Sequence, residues 1–90
     1  MLKSVCYAVT YEIHNEFDDQ LSSTVEAVFT NFDDTVDFAA HVAESDLTRW
    51  GQSKNETHLV SNGIKYTRRR DGYVFYIVWI KTDLYQHIKE

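Results

Sequence analysis

The sequence predicts an α+β domain: an antiparallel sheet of about five strands in ββαβββ order, one main helix on one face, and a short C-terminal helical segment. Three observations carry this. Apolar residues alternate with period two in two early segments and one late segment. Between them, apolar residues recur at three- and four-residue steps. Two glycine dipeptides then mark tight turns near the end of the chain.

Val5, Tyr7, Val9, Tyr11 and Ile13 alternate with Cys6, Ala8, Thr10, Glu12 and His14, so the odd positions of a first strand face inward. Residues 24–30 repeat the pattern, with Val25, Ala27 and Phe29 on one face and Thr24, Glu26, Val28 and Thr30 on the other. The connection, residues 15–22, is acidic and exposed, and the two strands are expected to pair as an antiparallel hairpin. From Asn31 the period changes. Phe32, Val36, Ala39, Ala40, Ala43 and Leu47 line one helical stripe, with Asn31 as N-cap and Asp34 at the third helical position. Asp33, Asp34, Asp37, His41 and Glu44 share an outward sector. Phe38 and Val42 lie off the stripe, where they are expected to meet a strand edge or the segment after the helix, with a contact patch as the alternative.

Residues 45–56 end the helix by Gly51, and Trp50 is the one large apolar group there. Asn62-Gly63 and Asp71-Gly72 read as hairpin turns, because both dipeptides tolerate positive φ. They divide the remainder into strands over residues 57–61, 64–69 and 73–81. Leu84, Tyr85 and Ile88 give residues 84–90 the spacing of a short helix. The last strand is apolar on both sides, with Tyr73, Phe75, Ile77 and Trp79 opposed to Val74, Tyr76, Val78 and Ile80. Such a strand belongs inside a sheet. One helix covers one face, so the other face needs a cover or a partner.

Ninety residues, 43% of them hydrophobic and 26% charged, fit a single ordered domain over residues 1–90. There is no apolar run of membrane-spanning length and no secretory leader, so the cytoplasm is the expected location. The lone Cys6 excludes an internal disulfide. Asn55-Glu56-Thr57 matches a glycosylation sequon, which without a leader reads as a chance match.

Charge divides the chain in two. Residues 1–48 hold ten acids against Lys3 alone, whereas residues 49–90 hold eight bases against four acids, for a total of −5. That asymmetry bears on partners rather than on fold. His14, His41, His58 and His87 form no metal-ligand spacing with one another or with Cys6. No nucleophile elbow, phosphate loop or zinc-hydrolase helix is present. The carboxylate pairs Asp18-Asp19 and Asp33-Asp34 are adjacent residues whose side chains point apart, so they read as solvated acids or caps. No catalytic residue, metal or cofactor is expected.

Binding therefore leads the functional reading. Asp18, Asp19, Asp33, Asp37 and Glu44 form a candidate acidic surface for a protein partner with a basic surface. Phe75, Tyr76 and Trp79 form a candidate apolar interface, which a second copy of the chain could also use. In size, acidity and lack of catalytic motif the chain resembles the small inhibitors that bacteriophages make against host nucleases and polymerases, anti-CRISPR proteins among them. The resemblance implies an inhibitor acting in the host cytoplasm. The alternative is a small nucleic-acid-binding regulator using Arg68, Arg69 and Arg70, with Tyr66 and Tyr73 as stacking platforms. The overall negative charge weighs against it. A small-molecule-sensing domain is a third class, and no membrane partner is expected.

Overall fold

A computed structural model describes residues 5–83. Strand β1 (Val5–His14) turns into β2 (Gln20–Phe29), helix α1 (Phe32–Arg49) follows, and a single 3-10 turn (Lys54–Glu56) leads to β3 (His58–Val60), β4 (Gly63–Thr67) and β5 (Val74–Asp83). The strands form one sheet in the order β2-β1-β5-β4-β3, every pair antiparallel. The α+β class and the ββαβββ order are as predicted. The helical segment expected over residues 84–90 lies outside the described residues.

The doubly apolar strand sits at the centre. β5 is flanked by β1 and β4, with Tyr11 opposite Ile77 and Ile64 also opposite Ile77. Its odd residues, the inward positions of β1 and the even residues of β4 face α1. There Val9, Ala39, Ala43, Leu47, Ile64, Tyr66, Phe75 and Ile77 make the core. Each fully buried large side chain contributes about 1.5–3 kcal/mol relative to exposure. Tyr66 and Phe75 stack at 5.7 Å, and Trp50 closes on Phe75 at 4.7 Å, so the aromatics cluster under the C-terminal end of the helix.

Both ends of α1 are fixed by short-range chemistry. Asn31 Oδ1 accepts from the Asp34 amide at 3.1 Å, while Phe32 packs edge-on against Tyr7 and Trp79. At the other end Gly51 takes φ +73°, its amide donates to the Thr48 carbonyl, and the Gln52 amide donates to that of Leu47. This is the Schellman arrangement, which needs a residue at ease with positive φ after the cap. The buried stripe runs Thr35, Ala39, Ala43, Asp46 and Leu47, and Ala40 is exposed instead of inward. Phe38 meets Phe29 at 5.2 Å, so it covers the edge strand.

Two expectations are corrected. The register between β1 and β2 slips after Val9–Ala27, so that Thr10 pairs with Val25 and Glu26 is a bulge. One inserted residue reverses the facing of those that precede it, here residues 22–25, until a second slip between Ile13–Ser22 and His14–Gln20 leaves Leu21 out of the ladder. Val25 therefore lies with Val28 on the face away from α1, not with Ala27 and Phe29, and both valines are exposed. Asn62 and Gly63 do not use positive φ: among the described residues only Asp18, Gly51 and Gly72 do. Gly63 is required for a different reason, because a Cβ there would collide with the Ile77 carbonyl and Val78 Cα of the neighbouring strand.

Candidate functional site

The helix presents its acids as the spacing requires. Asp33, Asp37 and Glu44 are separated by four and seven residues, which places them within an arc of about 40°. All three are exposed, as is His41 between them. Asp18 and Asp19 do not join them. They occupy the β1–β2 hairpin, a full strand of ten residues from the helix start, or about 30 Å of extended chain. Asp18 also bonds the Tyr76 hydroxyl on the face opposite α1. The five predicted acids thus divide into a helix group and a hairpin group.

The arginines are largely committed to the fold. Arg68 makes a forked contact with Asp71 (Nε–Oδ1 3.1 Å, Nη2–Oδ2 2.8 Å) while its guanidinium lies 5.1–5.5 Å from the Trp50, Tyr73 and Phe75 rings. Arg69 forks onto Glu56, with Nη2–Oε2 at 2.6 Å. Glu56 also accepts from the Ser53 amide and from Gln52, completing the capping box of the 3-10 turn. The Arg69 guanidinium, then the Ser53 amide, hold the Glu56 carboxyl down at about 2. Hydrogen bonds from Arg68 likewise hold Asp71 below its ordinary value. Arg70 is exposed and makes no ion pair among the described residues. A cleft of about 310 Å³ opens beside these groups, lined by Trp50, Gln52, Arg68, Arg69 and Arg70. Of the two aromatic platforms predicted for it, Tyr66 is fully buried, because even positions of β4 face the helix. Tyr73 lies against Arg68.

Phe75, Tyr76 and Trp79 do not form one interface. Phe75 is only 2% exposed beneath α1, and Trp79 packs against Phe32 on the same side, whereas Tyr76 lies on the opposite face. Strand alternation forbids any other outcome for two odd residues and one even. The large apolar groups that stand open on the face away from α1, among the described residues, are Val25, Val28 and Ile80, while Cys6, Ala8 and Thr10 of β1 are buried there.

Two polar clusters were not read from the sequence. Asp46 is buried under the helix, where Tyr11 and Tyr66 both donate to its Oδ2, at 2.6 and 2.7 Å, and Arg49 approaches Oδ1 at 3.4 Å. Burial, and then the bond to this carboxylate, raise both phenols well above the ordinary tyrosine value. The signal was present: Asp46 stands seven residues after Ala39, on the inward stripe, where a carboxylate needs donors. The second cluster surrounds His14, whose two ring nitrogens approach Glu12 and Asp18. Cys6 is buried. Among the described residues no group of three His, Cys, Asp or Glu is placed to hold a metal ion, and no helix is long and apolar enough to cross a membrane.

Comparison with protein-family models, curated proteins and solved structures gives no match to this chain.

Proposed function

We propose that the protein is a non-catalytic binding module that occupies a basic surface on a macromolecular partner with the outer face of α1. The supporting observation is the distribution of ion pairs. Arg68, Arg69 and Arg49 are engaged by Asp71, Glu56 and Asp46, whereas Asp33, Asp37 and Glu44 have no cation partner among the described residues. The first two of those pairs join acids and bases of the basic half, so the helix carboxylates keep their field. At low salt such a field raises association rates by about 10- to 1000-fold, and at 0.15 M it is screened beyond about 8 Å. A basic groove that otherwise holds nucleic acid is the complementary surface. In that role the chain acts as an inhibitor, of the kind phages direct at host nucleic-acid-handling or defence machinery, in the host cytoplasm.

The nucleic-acid alternative retains one uncommitted guanidinium, Arg70, at the edge of the Trp50 cleft. The two readings separate in one experiment. Tagged protein is used to capture partners from host lysate at low and high salt, beside the triple variant Asp33→Lys, Asp37→Lys, Glu44→Lys and the single variant Arg70→Ala. Capture of one basic protein at low salt, lost at high salt and in the triple variant, is the expected result. Recovery of nuclease-sensitive nucleic acid, weakened by Arg70→Ala and strengthened by the triple variant, would overturn it.

A further inference from the structure

We propose that His14 is a proton-operated latch: as an imidazolium it ties the tip of the β1–β2 hairpin to the face of the sheet away from α1, and on losing a proton it loosens that tie. The argument starts from what each ring nitrogen meets. Nδ1 lies 3.1 Å from the Asp18 carbonyl oxygen and 3.2 Å from Asp18 Oδ1, and Nε2 lies 3.0 Å from Glu12 Oε1. A carbonyl and two carboxylates only accept. A neutral imidazole has one N–H, so in either tautomer one nitrogen would turn a lone pair toward an oxygen lone pair. The doubly protonated ring alone satisfies both sides.

The tip is built to be held this way. Asn15 closes the loop, its side-chain oxygen accepting from the Phe17 and Asp19 amides at 2.9 Å and its carbonyl from the Asp18 amide at 2.9 Å. Asp18 takes φ +67°, a left-handed conformation that side chains other than glycine seldom adopt, and both its carbonyl and its carboxylate reach the ring. The Asp18 carboxylate also accepts from Tyr76, whose ring packs 4.6 Å from the imidazole. The charged and titratable surroundings are therefore Glu12 on β1, Asp18 in the loop, Tyr76 on β5 and Lys65 on β4, whose ammonium sits 5.7 Å from the Tyr76 ring. The residues paired with His14 across the sheet, Gln20 and Val74, are uncharged.

Burial pulls the imidazole down, but Glu12 and Asp18 outweigh it and leave the group above its ordinary 6.5. A raised value in the fold makes the clamp fully present below about pH 6.5, and it is lost as pH rises through the folded value. Release would cut the imidazole's hold on Asp18 and leave the loop only its Asn15 bonds and the Tyr76 hydroxyl, so the tip, with Phe17 77% exposed on it, loosens against the sheet.

The test is an NMR titration of the full chain from about pH 5 to about pH 9, following the His14 ring proton and the Phe17–Asp19 amides. His14→Gln assigns the ring signal, and Glu12→Gln removes one of the two carboxylates. The expected result is a midpoint above 6.5 that falls in Glu12→Gln. The tip amides should shift with that same midpoint and, above it, exchange about tenfold faster than intrinsic rates account for. A midpoint at or below 6.5, or tip amides indifferent to the titration, would overturn the latch. Should His14→Gln fail to fold, the wild-type and Glu12→Gln titrations decide alone.

Discussion

The Tyr66 hydroxyl donates to Oδ2 of Asp46 at 2.7 Å, with both side chains buried, and Tyr11 donates to the same oxygen at 2.6 Å. One carboxylate thereby joins α1 to β1 and β4 beneath the helix. The buried helix stripe is otherwise apolar except at Thr35, whose hydroxyl donates to the Asn31 carbonyl.

Removing that carboxylate leaves two phenols without an acceptor. Hydrogen bonds to a charged group contribute about 1.5–3 kcal/mol each, so Asp46→Ala should cost about 3 kcal/mol or more. Tyr66→Phe, which leaves Asp46 its bond from Tyr11, should cost roughly half as much. Urea unfolding midpoints measure both. An Asp46→Ala protein as stable as the parent would show that the phenols find other acceptors.

Alkaline titration reads the same cluster from the other side. Both phenols are raised in the fold above their ordinary 10.0, by burial first and then by Asp46. Their contribution to stability is thus complete below pH 10 and declines as pH rises further. Tyrosinate absorbance should show Tyr11 and Tyr66 ionising late, with Tyr76, raised by burial and then by Asp18, also above the ordinary value, together with loss of the helical circular-dichroism signal.

Glu56 gives the opposite sign at the acid end. Its carboxyl is held at about 2 against an ordinary 4.5, so the capping contact is present above 4.5 and lost as pH falls through about 2. The side-chain carbon signal of Glu56 should titrate near the lower value. In Arg69→Ala it should move back toward 4.5, since Arg69 is the largest influence on it.

Gly63→Ala separates two reasons for a glycine. A turn glycine with negative φ would tolerate alanine, but here the new Cβ meets backbone of β5, which has no flexible end to give way. Overpacking of this kind costs about 1–3 kcal/mol. Gly51→Ala, where a Cβ would meet nothing and only the positive φ is strained, should cost about 1 kcal/mol. Equal tolerance at both positions would contradict the close approach.

Much of the architecture was legible because periodicity survives in the residues that face the helix: Val9, Tyr11, Phe75, Ile77 and the stripe from Ala39 to Leu47. The bulge at Glu26 was not, since one inserted residue leaves an alternating run that still looks regular over 25–29. The partners of the arginines were hidden for a related reason. Glu56 and Asp71 lie within the basic half, and only the folded turn and hairpin bring them to Arg69 and Arg68. The acids of α1 followed from helix geometry alone, whereas the separation of Asp18 from them depended on the length and direction of β2. Asp46 was readable in principle, as a carboxylate on an apolar stripe.

Val5 pairs with Asp83 and His14 with Val74, so the strand made first and the strand made last of the described sheet are neighbours at its middle. Synthesis runs from β1 to β5 and therefore produces every other element before the one that joins them. Until β5 leaves the ribosome, β1–β2 and β3–β4 are separate hairpins and α1 has no continuous bed. Pairings so distant in sequence fold slowly, and apolar surface waits in the open meanwhile. The topology makes completion of this sheet wait until β5 has emerged, with chaperone binding as its competitor during that interval.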